Sequence, residues 1–321
     1  MKAVRFHEFG GPEVLRLEDV PDPEPSDGDV LVRLAASGVN PTDASRRTGR
    51  MGQDIGFPAM LGVEGAGVVA QVGRDVTSVS EGDRVIVRQH LHTYAELIAV
   101  PEHVVFPVPG NLSLVEASTL AIIYTTAWAA LCVRGGAKEG DTVLVQAAAS
   151  GCGIAAIQLA KQLGMTVLGT ASSAEKLEWA AQYGLDYGIN YVEQDFVEEA
   201  KRLTDGRGVD VIVDGIGGDV LARGLGALAR GGRLAVFGAA GGRETTVPIA
   251  SFYRGPVSVT GAGAALTPSE DFETILGWFG EGKLRPTIDR TWPLAEAVEA
   301  HRYQESREIK GKSALVISED D

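Results

Sequence analysis

Between residues 142 and 238 the chain repeats one pattern, a short β-branched run followed by a stretch of helical length, and few folds accept that repetition. TVLVQAA precedes a helix expected over 153–163, MTVLGTA one over 174–183, YGIN one near 192–203 and VDVIVDG one near 220–229, before GRLAVFG ends the series. Strands separated by helices pair in parallel, because each crossover carries the chain back to the starting end of the sheet, and right-handed crossovers put helices on both faces. The predicted fold class is α/β, with a doubly wound parallel sheet of the Rossmann type.

The first strand-to-helix turn reads QAAASGCG. Its spacing is AxSGxG: Ala148 and Ser150 stand where the dinucleotide fingerprint GxGxxG has its first two glycines, Gly151 and Cys152 follow, and Gly153 holds the third position. A helix that opens there points its free N–H groups and positive dipole end beyond the sheet's carboxyl edge, where a pyrophosphate is the usual occupant. The second strand indicates which dinucleotide. A site for NAD carries a carboxylate at that strand's end to accept from the ribose 2′-OH. Here Thr170, Ala171, Ser172 and Ser173 end the strand, with Lys176 one helical turn later, so nothing repels a 2′-phosphate and NADPH is the expected cofactor. Ser172 or Ser173 is also a natural cap for the next helix, and Lys176 an ordinary surface lysine; capping and phosphate binding are compatible. Gly217 in DGIGGD, and Phe237 and Gly238 in VFGAAGG, fall at the carboxyl ends of later strands, where backbone passes beneath the dinucleotide.

Residues 1–115 read differently. DVLVRLAASGV, GAGVVAQVG, GDRVIVR and YAELIAV are short β runs separated by Gly, Pro and Asp, with no helix-length segment between them, so a barrel-like domain is predicted. The tail, 261–321, holds a helix over 269–280, the extended piece TIDRTWPL, a helix near 295–304 and the strand KSALVIS. It has too little apolar mass to stand alone and is expected to pack back on the first domain. The predicted organisation is 1–115, a nucleotide-binding domain over 116–260, and a returning segment over 261–321, in keeping with 321 residues being long for a single core.

A net charge of −14 repels phosphate backbones and anionic lipids, so neither nucleic acid nor a membrane is an expected partner. Only Cys132 and Cys152 are present, too few for a disulfide framework and in keeping with a reducing compartment. The opening MKAVRFHEFGGPEVL has no apolar core of signal-peptide length. A soluble, cytoplasmic protein is the expectation.

Five segments carry a resemblance: the opening MKAVRFHEFGGPEVL, then ASGVNPTDASRRTG, PAMLGVEGAGVVAQVGRDVTSVSEGDRV, AAASGCGIAAIQLAK and QESREIKGKSALVI. In that order they resemble the zinc-independent, zeta-crystallin-like quinone oxidoreductases of the medium-chain dehydrogenase/reductase superfamily, along essentially the whole chain. The resemblance implies a Rossmann domain inserted in a GroES-like β-barrel domain that the C-terminal segment completes, and a homodimer or higher homo-oligomer joined through sheet edges such as GPVSVTGAG.

Zinc-dependent members of that superfamily place a Cys in the segment reading GVNPTD here and a His in the segment reading GVEGAG. This chain has Asn40 and Val63 there, neither a competent zinc ligand, which leaves only Glu64. His90 and His92 would share one face of a strand, with no Cys or third ligand beside them. No metal is predicted. Without a Lewis acid, alcohol oxidation gives way to hydride transfer from NADPH to an acceptor that is electrophilic by itself, a quinone or an α,β-unsaturated carbonyl.

The resemblance also implies roles. Asn40, near the nicotinamide, and Thr126, whose family counterpart faces the carboxamide, are the candidate catalytic residues. A turn role for Asn40 and a helical back-bond for Thr126 stay open beside these. Tyr191 and Arg307 match residues around the 2′-phosphate, which with Lys176 gives two cations and a phenol around one dianion. Met51 stands where many relatives carry a tyrosine; a thioether donates no proton, so protonation must come from elsewhere and enoyl-thioester reduction is disfavoured. Asn40, Met51 and Val63 are the candidate substrate pocket. The competing functions are an enoyl-CoA reductase and an NADPH-binding protein without turnover.

Overall fold

The computed structural model describes residues 1–52, 55–88 and 91–318. They fall into two compact units. The first comprises Met1–Ile122, Glu273–Gly282 and Pro286–Asp321, and the second Ile123–Phe272 with Lys283–Arg285. The second unit reaches beyond residue 260 because the Thr267 hydroxyl donates to Thr125 O at 2.7 Å, which holds that stretch within the unit.

The first unit starts with β1 (Lys2–Phe6), β2 (Arg16–Asp19), β3 (Asp29–Val39), helix α1 (Pro41–Arg47), β4 (Ala59–Met60), β5 (Glu64–Val72), β6 (Arg84–Arg88), β7 (Leu97–Pro101), β8 (Val105–Pro107) and α2 (Leu114–Ala117). Strands β2, β1 and β4 form a small sheet. The larger one runs β15 (Ile288–Pro293), β16 (Lys312–Val316), β3, β5, β6, β8, with β7 also on β3. The eleven-residue β3 is long enough for β16 to pair with Ala36–Val39 and β7 with Asp29–Arg33. The barrel expected for residues 1–115 is therefore an open, seven-stranded sheet among the described residues. Nor are those residues free of helix: Pro41 opens α1 at a position where the missing N–H costs nothing, and Asp43 caps it by accepting from Asn40 N at 2.9 Å. Val30, Val32, Leu34, Val69, Val85, Val87 and Val100 fill the core under the sheet.

The second unit begins within α3 (Ala121–Trp128), which continues as a π-helical turn over Ala129–Arg134. It contains β9 (Thr142–Val145), α4 (Gly151–Gln162), β10 (Thr166–Ala171), α5 (Ala174–Ala181), β11 (Tyr187–Asn190), α6 (Phe196–Arg202), β12 (Val209–Asp214), α7 (Gly218–Gly224), β13 (Leu228–Val236), α8 (Ala250–Arg254) and β14 (Ser258–Gly261). The strand order is β11-β10-β9-β12-β13-β14, every pair parallel. This is the doubly wound parallel sheet that the alternation predicts, with its switch point between β9 and β12. Helices α6 and α7 depart most from their predicted bounds. Asp195 accepts from Val197 N and Glu198 N, so α6 starts after 195 and leaves Val192 68% exposed. Gly224 and Gly226 end α7, and Leu228, read as helix, opens β13 opposite Val209.

Candidate active site

In the second unit the turn after β9 is built for close approach. Ala147 takes the left-handed conformation at φ 53°, one residue before the fingerprint. Ser150 is the N-cap of α4, its Oγ accepting from Gly153 N at 3.1 Å. A Cβ on Gly153 would sit 2.4 Å from Ala147 O and 2.8 Å from Ala148 O, so only glycine lets the helix lie this tight against its strand. Ala148 and Gly151 are buried and Cys152 partly so.

At the end of β10, Ser173 caps α5 by accepting from Lys176 N at 3.3 Å. The capping alternative thus holds for Ser173, and its hydroxyl proton stays available to an anion. Ser172 and Lys176 are half-buried and Tyr191 is 52% exposed. Between β12 and β13, two glycine loops face each other: Gly241 N donates to Ile216 O at 2.7 Å and Ala240 N to Gly215 O at 3.2 Å. Gly217 has φ 66°, and a Cβ there would meet Gly242 O at 2.8 Å; one on Gly238 would meet Gly215 O at 2.7 Å, and the half-buried Phe237 ring lies against Gly215. Asp214 ties the first loop down, Oδ1 accepting from Ile216 N at 2.7 Å and Gly217 N at 3.2 Å. Burial pushes its carboxyl pKa up. Thr126, 7% exposed, lies in α3 two residues before Trp128, whose indole donates to Asp271 Oδ2 at 2.8 Å. In α8, Tyr253 is 67% exposed and Phe252 half-buried.

In the first unit Asn40, 2% exposed, turns its amide inward. Oδ1 accepts from Lys312 Nζ at 2.9 Å, while Nδ2 donates to Glu64 Oε1 at 2.9 Å and Gly38 O at 3.3 Å. Both amide hydrogens are thereby engaged within the protein, the arrangement of a residue that holds its turn. Glu64 is fully buried; Lys312 Nζ lies 2.8 Å from Oε1, and Ile122 N donates to Oε2 at 2.8 Å. Ser37 and Thr93 hydroxyls both donate to Glu64 O, at 2.8 and 2.9 Å. Val63, next to this pair, is half-buried, and Met51 is 42% exposed with Sδ 3.8 Å from Thr42 Oγ1. Arg307 lies in this unit, exposed and left-handed at φ 65°. His92 has φ 79° and donates its N–H to Gly62 O; His90 lies outside the described residues. Among the described residues no group of three or more His, Cys, Asp and Glu forms a metal cluster, and no helix is long and apolar enough to cross a membrane.

Sequence reasoning passed over Lys312 and Asp43. Each carried a signal: a lysine heads the apolar strand KSALV, and Asp43 stands three residues after Asn40 in a helix-capping spacing.

Two family models match the chain, the alcohol dehydrogenase GroES-like domain over residues 26–110 and the zinc-binding dehydrogenase domain over 151–281. The quinone oxidoreductase of Sus scrofa is 34% identical over 99% of this chain and 98% of its own. Among solved structures, an NAD-dependent alcohol dehydrogenase is 36% identical with a TM-score of 0.94, covering 99% of this chain and 100% of that one. The Escherichia coli quinone oxidoreductase complexed with NADPH is 30% identical with a TM-score of 0.90 over the same shares. Fold and site define a medium-chain dehydrogenase/reductase. Within that superfamily the chain belongs to the quinone oxidoreductase family.

Proposed function

We propose that this chain is an NADPH-dependent reductase that delivers hydride to a quinone or another α,β-unsaturated carbonyl without a metal. The observation that carries the reading is the Lys312 ammonium lodged between Asn40 Oδ1 and Glu64 Oε1. Zinc-dependent relatives take their ligands from these two segments, and here the one carboxylate left is committed to an organic cation. Donors of this kind favour an acceptor that needs no Lewis acid.

The second unit fits NADPH. The Ser150 hydroxyl, the N-terminal N–H groups of α4 and the glycine loops at 215–218 and 238–242 would hold the pyrophosphate and the nicotinamide end. Ser172, Ser173, Lys176 and Tyr191, with Arg307, would take the 2′-phosphate. The absence of a carboxylate over Thr170–Ser173 is why NADPH is favoured although one similar structure is named NAD-dependent. When bound, NADPH supplies the hydride. Thr126 would orient the carboxamide, and Met51 and Val63 would line an apolar seat for the acceptor. Met51 has no proton to give, so the proton that completes reduction comes from solvent.

NADPH fluorescence titration followed by NADPH oxidation with 1,4-naphthoquinone, phenanthrenequinone, an enone panel and crotonyl-CoA tests the proposal. Quinone or enone turnover supports it. Faster turnover of crotonyl-CoA than of every quinone replaces it with enoyl-thioester reduction, and binding without turnover replaces it with a non-catalytic nucleotide protein. We also propose self-association through β14, the edge strand of its sheet, to be checked by sedimentation at micromolar concentration.

A further inference from the structure

Three segments of the first unit meet at one buried ammonium. Lys312 opens β16 with its side chain 4% exposed, and Nζ lies 2.6 Å from Val39 O, 2.9 Å from Asn40 Oδ1 and 2.8 Å from Glu64 Oε1. An ammonium has three hydrogens, and here there are three acceptors. The cage is tight: a Cβ added to Gly38 would come within 2.5 Å of Glu64 Oε1 and 2.8 Å of Ser118 O.

Stability is a poor reason for a lysine in such a place, since well-packed apolar residues commonly replace a buried ion pair at no loss. Orientation is a better one. With Oδ1 facing the cation and Nδ2 facing Glu64, the Asn40 amide has one allowed setting. A neutral side chain at 312 would leave Glu64 buried without a counter-charge and Oδ1 without its donor, freeing the amide to turn.

We propose that Lys312 is a positioning residue of the reductase, a built-in cation that fixes Asn40 and the turn through Thr42, on which Met51 rests, in register with Val63 and Glu64. All three N–H bonds are spent inside the protein, so Lys312 acts through Asn40 and does not touch the acceptor. The inference rests on the reading of the site given above.

The test compares Lys312→Met, Lys312→Arg and Lys312→Ala with the wild type, using NADPH and 1,4-naphthoquinone, with thermal midpoints measured with and without propylammonium chloride. Folded Lys312→Met is expected to lose about tenfold or more in kcat, the scale of one charge-assisted hydrogen bond, with KM for NADPH changed by less than about twofold. Lys312→Arg, which keeps the charge, regains part of the rate. Propylammonium restores Lys312→Ala saturably and raises its midpoint, while sodium at equal ionic strength does neither and the wild type responds to neither. Wild-type kcat in Lys312→Met overturns the proposal, as does a joint fall in kcat and NADPH affinity on which amines have no effect. Should the wild type reduce no quinone or enone, the proposed function fails by itself. The amine-dependent midpoint of Lys312→Ala, which needs no turnover, still decides whether the cage is a cation site.

Discussion

The hydroxyl of Tyr94 lies 3.2 Å from Nε2 of His301, and both side chains are fully buried. Asp43 Oδ2 is 3.4 Å from the same hydroxyl. Tyr94 therefore donates to the carboxylate and accepts from His301, which assigns the imidazole proton to Nε2 and leaves Nδ1 without a hydrogen-bond partner. Arg47, fully buried in α1, adds positive charge beside the ring.

Burial, reinforced by Arg47, lowers the His301 pKa from 6.5 to about 3. The folded state holds the ring neutral while the unfolded chain takes up a proton below 6.5, so stability is lost as pH falls from 6.5 towards 3. At pH 5 the loss from this group is roughly 2 kcal/mol relative to pH 8. His301→Gln keeps a donor for Tyr94 and removes the titration. Urea unfolding from pH 4 to 8 should show a flatter acid limb in the variant; parallel limbs would reject the assignment.

Asp43 acts in the opposite direction. Burial raises its pKa from 3.8 to about 6, against the lowering effect of the N–H groups of Asn40 and Gly62. A raised acid pKa stabilises the folded state at low pH, and that contribution is lost as pH rises from 3.8 through 6, costing about 3 kcal/mol once the group is fully ionised. The ionised group nevertheless caps α1 and holds Gly62 N at 3.0 Å. At pH 4, where that ionisation cost is mostly absent, Asp43→Ala should cost about 2–4 kcal/mol through two orphaned buried N–H groups and a lost cap, and the loss should shrink towards pH 8 as the variant escapes the cost. Asp43→Leu, which orphans the same N–H groups with a bulkier apolar side chain, is the control. A loss below 1 kcal/mol in both by urea titration at pH 4 would mean that α1 is held by something else.

The parallel sheet was legible because β-branched runs and helical stretches alternate locally, and short-range patterning decides both. Segments whose fate depends on a neighbour far along the chain were not. Residues 1–115 read as a barrel because alternation shows which faces are buried but not whether the outer strands meet. The α1 helix hid in NPTD, which as text is equally a turn. Asn40 was legible as a site residue, yet the inward setting of its amide depends on Lys312, 272 positions away. Lys176 is readable from its place after β10, whereas Arg307 joins the same phosphate only through the resemblance, since no local pattern links two such distant cations.

Gly153→Ala examines the dinucleotide turn. The new Cβ would press on two backbone oxygens, which yield far less readily than a side chain. Overpacking of this kind costs about 1–3 kcal/mol and lifts α4 from its strand. NADPH affinity should fall about tenfold or more as the N–H groups of α4 move away from the pyrophosphate. Wild-type affinity in a folded Gly153→Ala protein would show that the turn's closeness is immaterial to binding.

The end of β10 gives the sharpest test of cofactor choice, because the helix cap and the predicted phosphate contact are carried by adjacent residues. Ser173 makes the cap to Lys176 N, so Ser172 can be changed without unseating α5. Ser172→Asp places a carboxylate at the strand end, where it accepts from a ribose 2′-OH and repels a 2′-phosphate. The thermal midpoint should stay within a few °C of wild type, since Ser172 is only half-buried and its side chain does not make the cap. The ratio of kcat/KM for NADPH to that for NADH should fall about tenfold or more, from repulsion against one cofactor and a new hydrogen bond to the other. Lys176→Ala and Arg307→Ala should lower the same ratio while leaving NADH kinetics nearly unchanged. Equal losses for both cofactors in all three variants would mean that the 2′-phosphate is read elsewhere or not at all.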